Sequence, residues 1–213
     1  MNASFVLSSR DHELMLALSQ MVRLFSQRQI ADNFWGGSLP NARRRLKQLE
    51  GCELMTRLTV GARSIPEMTS PLLSWKPGDD APHFGQLAYH CQSRWRTRPV
   101  RSCSVWIITE RGAQQFGGVN RGDLSHPTQA THDLGVAAVW LRLREVAPEW
   151  ATAWRGEDEM AASRHGEKRP DAFIVDKSGR VAWVLEFGGS YDAERIEAFH
   201  QDCFSRNLPY QLW

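Results

Sequence analysis

The residues that most plainly carry chemistry sit in one short stretch, PNARRRLKQLE, beginning at Pro40. Helical spacing sends Ala42, Leu46 and Leu49 to one face and leaves Arg43, Arg44, Lys47 and Gln48 on the other. A phosphate backbone selects Arg and Lys electrostatically, while Asn, Gln and Arg read base edges. With Ser38 and Asn41 at the head of the helix, the candidate DNA-contacting set is Ser38, Asn41, Arg43, Arg44, Lys47 and Gln48. A solvated surface helix carries the same kind of charged face, so the neighbouring elements decide.

Those neighbours favour a nucleic-acid reader. Residues 11–25 place Leu14, Leu18, Met21 and Phe25 on one face of an amphipathic helix, with Ser9 as N-cap. A short helix is expected at 27–34, a break at GGSLP, and then the basic helix, capped by Ser38 and entered through Pro40. Three helices with a glycine-containing break before a basic third one form a helix-turn-helix arrangement. Residues 53–60 read as a strand, Gly61 as a turn, and 68–75 as a returning strand, which makes a wing. A winged helix that contacts another protein is the competing reading.

Composition narrows the class. The chain has 213 residues, 42% hydrophobic and 23% charged, which suits one large or two small globular domains. Its net charge of +2 divides into +6 over residues 1–105 and −4 over 106–213, so two units with different partners are expected. No apolar run is long enough for a transmembrane helix, and the N-terminal residues do not read as a signal peptide; no membrane partner and a cytoplasmic location are the expectations. Cys52, Cys91, Cys103 and Cys203 show neither CxxC nor zinc-knuckle spacing and read as reduced thiols. The 9 tryptophans read mainly as core fillers.

Beyond the wing, 70–82 reads as loop, 84–98 as helix, 99–109 as strand and 111–130 as loop. In the second of these, Arg94, Trp95, Arg96 and Arg98 suit either phosphate contact or a surface helix end packed by Trp95. A long helix follows at 129–146, with His132, Val136, Val139, Trp140 and Leu143 on one face. Strands are expected at 150–158, 169–175 and 180–187, the last two joined by Asp-Lys-Ser-Gly, a hairpin signal. A helix at 191–206 and a short terminal strand complete an order of helix, three strands, helix, strand.

The run PDAFIVDKSGRVAWVLEFGG resembles the PD-(D/E)XK nuclease core, and the αβββαβ order matches it. The whole chain resembles replication-relaxation type proteins of plasmids and other mobile elements, which join a winged helix to a nuclease-like domain and carry a His-Asp-Leu helix, here His132-Asp133-Leu134. The resemblance implies Asp171 and Glu186 as a metal-holding and catalytic pair. His132, or Glu157 or Asp158, would complete the site, and Mg²⁺ would be the cofactor. Such a metal binds oxygen ligands, polarises the scissile phosphate and lowers the pKa of a bound water. The alternative is structural: Asp171 caps a strand, and Glu186 pairs with Arg180 or Arg195. The family's motif lysine is missing; Gly188 stands in its place, with Lys168 or Arg195 as substitutes. Nuclease-fold domains without that lysine serve as binding or dimerisation modules, which keeps a homodimer open.

No P-loop, GxSxG or HExxH motif occurs, and Gly188-Gly189 lacks the rest of a dinucleotide fingerprint. The expectation is an α/β (α+β overall) protein: a winged helix-turn-helix at 1–80, a connecting segment at 81–128 and a nuclease-like domain at 129–213. Its expected partner is double-stranded DNA, with cleavage weak or absent. A Mg²⁺-dependent endonuclease and a protein-interaction scaffold are the alternatives.

Overall fold

The computed structural model describes residues 5–119, 129–156 and 170–213. Helix α1 (Ser9–Leu16) runs into a π-helical turn, Ala17–Met21, and is followed by β1 (Leu24–Ser26), α2 (Gln27–Phe34), α3 (Leu39–Gly51) and β2 (Met55–Arg63). Next come β3 (Leu73–Trp75), α4 (Phe84–Ser93), β4 (Val100–Ile108) and α5 (Glu110–Gln115). The remainder is α6 (Gln129–Val146), α7 (Pro148–Ala153), β5 (Trp154–Gly156), β6 (Ala172–Val175), β7 (Val181–Glu186), α8 (Ala193–Ser205) and β8 (Tyr210–Leu212). The chain is mixed α/β with two sheets, ordered β1-β4-β2 and β3-β8-β7-β6-β5. Among the described residues no helix is long and apolar enough to cross a membrane.

Two compact units emerge, and they are interleaved in sequence. The described residues of Met1–Val60 and Ser102–Leu124 form one; those of Gly61–Arg101 and Ser125–Trp213 form the other. This differs from consecutive segments at 1–80, 81–128 and 129–213. The reason is strand pairing: the neighbour of β2 in its sheet is β4, not the segment at 68–75. Gly61 does not turn the chain, because β2 continues through it to Arg63. Leu73–Trp75 is a strand, but it pairs antiparallel with β8 in the other sheet, where the Trp75 ring stacks on Tyr210 with centroids 5.5 Å apart.

In the first unit, two capping boxes fix where helices start. Ser8, rather than Ser9, caps α1: its amide donates to Asp11 Oδ2 at 2.6 Å while its hydroxyl accepts from the Asp11 amide. Ser26 and Gln29 do the same for α2. An N-cap requires extended backbone, so the chain before Ser26 cannot remain helical. This is why the apolar face expected at 11–25 splits: Leu14 and Leu18 stay in helical turns, while Phe25 enters β1 opposite Trp106. All three are fully buried. Ala42, Leu46 and Leu49 of α3 are fully buried as well. The loop expected at 111–130 begins with α5 instead, capped by Thr109.

In the second unit, β7 and β8 run parallel, while β6 is antiparallel to both β5 and β7. The order of α6, three strands, α8 and β8 follows the expected sequence of elements, with the short α7 taking the place of strand at 150–153. Trp75, Cys91, Phe173, Ile196, Phe199 and Tyr210 lie at the heart of its core. All four cysteines are free thiols.

Candidate functional site

The hairpin register determines where the acidic residues meet. Ala172 pairs with Leu185, so Asp171, just before β6, stands across from Glu186, the last residue of β7. The Asp171 amide donates to Glu186 Oε2 at 3.2 Å, and the Phe187 amide donates to Asp171 Oδ2 at 2.7 Å. His132, in the first turn of α6, reaches the same point: its Nε2 lies 3.1 Å from Asp171 Oδ1. Gly135 makes that approach available. A Cβ there would stand 2.2 Å from the Phe187 ring, so only glycine lets β7 and α6 come this close. His132 also packs edge-on against Phe187, with centroids 5.9 Å apart, and its Nδ1 is 3.4 Å from Asp133 Oδ1.

Electrostatics turns this cluster into a closed set. Burial disfavours the His132 charge, but Asp171 and Asp133 outweigh it and hold the imidazole pKa up to about 11. His132 is therefore a cation at neutral pH. Glu186 is 3% exposed, and burial, reinforced by the Asp171 charge, raises its pKa toward the neutral form. The Tyr191 hydroxyl donates to Glu186 Oε1 at 2.6 Å, and its own pKa is pushed well up, first by burial and then by Glu186. Arg195 lies over the Tyr191 ring with its guanidinium carbon 4.0 Å from the centroid, and Arg180 pairs with Asp176. Neither arginine is a hydrogen-bonding partner of Glu186.

Each of the four carboxylate oxygens of Asp171 and Glu186 thus already has a protein donor: His132, the Phe187 amide, Tyr191 and the Asp171 amide. Mg²⁺ asks for exposed carboxylate oxygens that converge while keeping several waters. In this arrangement His132 is the cation beside Asp171. Among the described residues no group of three or more His, Cys, Asp or Glu is arranged to hold a metal. Glu157, Asp158 and Lys168 lie outside the described residues.

Gly188, two residues after Glu186, sits in a close-packed position. A Cβ at Gly188 would meet Cys91 Sγ at 2.9 Å and Leu212 Cδ1 at 3.1 Å. Its amide donates to the Trp213 carbonyl at 3.0 Å, which extends the β7–β8 pairing. A side chain there would have to displace the Cys91 thiol and the Leu212 side chain. Two residues from the basic stretch at the end of α4 support the same turn. Trp95 Nε1 donates to the Gly189 carbonyl at 2.6 Å, and Arg94 donates to the Trp213 carbonyl at 2.7 Å while lying over the Phe187 ring. Arg98 bonds the Ser64 carbonyl, and Arg96 lies over Tyr89. Sequence reasoning missed Tyr191 and Gly135. Tyr191 had a weak signal in its position directly after the Gly-Gly-Ser exit from β7; Gly135 had none.

The first unit carries the basic face. Asn41, Arg43, Arg44, Lys47 and Gln48 are exposed on α3, and Ser38 is the half-buried N-cap without a side-chain capping bond. Among the described residues, Arg43, Arg44 and Lys47 have no ion-pair partner. Arg45 differs: it turns back to Asp11, which is fully buried, with Nη2 2.6 Å from Oδ2. It also donates to the Val6 carbonyl at 2.6 Å and to Gln48 Oε1 at 3.0 Å. Burial pushes the Asp11 carboxyl up, but hydrogen bonds from Arg45 and Ser8 outweigh it and hold it below the usual carboxylate range. This pair fixes the rotation of α3 against α1, and so fixes which side chains face outward.

Comparison with family models, with curated proteins and with solved structures at the same stringency returns no match.

Proposed function

We infer that this chain is a DNA-binding protein of plasmid or mobile-element replication or regulation type. In this reading the first unit is a winged helix-turn-helix with α3 as recognition helix. The second is a nuclease-like module that holds an internal ion cluster instead of a cutting site. The observation that carries the reading is the outward row of Arg43, Arg44 and Lys47, unpaired on a helix whose orientation is locked from behind by the Asp11–Arg45 pair. Exposed guanidinium and ammonium groups with no internal partner are what phosphate contact requires. Three helices followed by a β1-β4-β2 sheet support this reading, in which β2 and β4 are the wing strands, joined through residues 64–99.

The non-cutting reading rests on two features: His132 bound to Asp171, and Gly188, which brings no cation and is packed against Cys91 and Leu212. Removing one preorganised electrostatic interaction with a transition state typically lowers rate by about two to three decades. The experiment pairs a gel shift with a plasmid-nicking assay in Mg²⁺ and Mn²⁺. Duplex DNA is expected to shift with the wild-type chain and less with Arg44→Ala or Lys47→Ala, without detectable nicking. Robust nicking that Asp171→Ala and Glu186→Ala both abolish would establish the endonuclease instead.

A further inference from the structure

Beside the outward face of α3 the first unit holds a groove of about 650 Å³, within the roughly 300–1,000 Å³ of ligand clefts. Its walls come from the start of α1, the end of α2 and one side of α3, and include Arg10, Trp35, Asn41, Arg44 and Gln48. Among the described residues no carboxylate lines it. Arg45 also lines it, but its charge is matched by Asp11, which leaves Arg10 and Arg44 as the cations without a partner among the described residues. Trp35 is half-buried at the C-terminal end of α2, with the buried Phe34 ring beside it at 6.4 Å.

A phosphate alone would need only the cations. The groove adds a large aromatic ring, the Asn41 amide and the Gln48 amide N–H, whose own oxygen is held by Arg45, which is chemistry for a base: a face to stack on and hydrogen-bonding groups for an edge. Bases inside an intact duplex are paired and stacked and cannot present a face to Trp35. An unpaired nucleotide can. Arg44 belongs to both the groove and the outward face of α3, so one backbone can pass from one to the other.

Resting on the DNA-binding reading, we propose that this groove binds an unpaired nucleotide of a single strand adjoining the duplex held by α3, with its base against Trp35 and its phosphate between Arg10 and Arg44. The protein is then a reader of duplex–single-strand junctions rather than of uninterrupted duplex. The ligand chemistry, a phosphate with an exposed base, is shared with a free mononucleotide, and the test separates the two.

Anisotropy titrations of the full chain would use a blunt duplex, the same duplex with a short oligo-dT tail, the tail alone, and thymidine monophosphate as competitor. The tailed duplex should bind about tenfold more tightly than the blunt one, the scale of one stacked base. Trp35→Leu should bring the tailed duplex to the blunt affinity, and Trp35→Phe should keep most of the gain. Thermal melting of both variants checks that each is folded. Arg43→Ala should weaken both duplexes alike. Equal affinity for blunt and tailed duplex, or a gain that survives Trp35→Leu in a folded variant, overturns the proposal while leaving the DNA-binding reading in place. Thymidine monophosphate binding as tightly as the tailed duplex overturns it in favour of a small-molecule site. Binding to the tail without binding to blunt duplex supports the groove and removes α3 as duplex reader; binding to neither removes both.

Discussion

His132 supplies the positive charge beside Asp171, next to the buried Glu186. Removing it leaves Asp171 beside a buried Glu186 with no cation. His132→Ala is expected to lower stability by about 1–3 kcal/mol, less than for a fully buried pair because the His132 side chain is 35% exposed; chemical denaturation of both proteins measures it. Tyr191→Phe strips the hydroxyl from Glu186 Oε1, a buried acceptor, and should destabilise by about 1–3 kcal/mol. The pH dependence follows from raised values on both groups. The His132 contribution is complete below its unfolded value of 6.5 and is lost as pH rises through about 11. Glu186, also raised, favours the folded state most below 4.5, and that advantage is lost as pH rises. Melting temperature should therefore fall from mildly acidic to alkaline pH, and His132→Gln should flatten the alkaline part. An unchanged slope in that variant contradicts the assigned ion pair. Asp171, Glu186 and His132 were singled out by the resemblance to the PD-(D/E)XK core, and the hairpin signal placed the two acidic residues opposite each other. Tyr191 was not, since a tyrosine after a turn looks like any core aromatic.

At the scale of elements, two glycines set how α6, β7 and β8 pack. Gly135→Ala drives a Cβ into the Phe187 ring, and the resulting separation of α6 from β7 should cost about 3 kcal/mol. Gly135→Ala with Phe187→Leu should recover part of that stability in urea denaturation. Gly188→Lys should destabilise the fold through Cys91 and Leu212 and still yield no cleavage. The hairpin of β6 and β7, the basic helix α3 and the terminal helix α8 were all legible, because each depends on local periodicity and turn residues. The partner of β2 was not. It lies beyond residues 64–99, and period-two alternation says nothing about which strand pairs with which. The end of α1 escaped for another reason: Phe25 keeps a helical spacing from Leu18 while the cap of α2 forces the backbone to extend.

For the whole molecule, the interleaved units mean that the chain cannot be divided at residue 80. A fragment of residues 1–80 lacks β4, whose Val105, Trp106 and Ile107 pair with β1, and leaves β3 without β8. It should show no cooperative unfolding transition by circular dichroism; a sharp transition would contradict the division into these units. Composition and charge could not show that the chain leaves the first unit and returns to it. DNA binding through the first unit is the central claim, and salt dependence probes it most directly. Duplex affinity of the wild type and of the Arg43→Ala, Arg44→Ala, Lys47→Ala triple variant would be measured across a range of salt concentrations. The expected wild-type plot of log affinity against log salt is steep. The triple variant should be shallower by about 0.9 for each phosphate it no longer neutralises, up to about 2.7. No duplex binding at low salt, or a triple variant with wild-type affinity and slope, would contradict it.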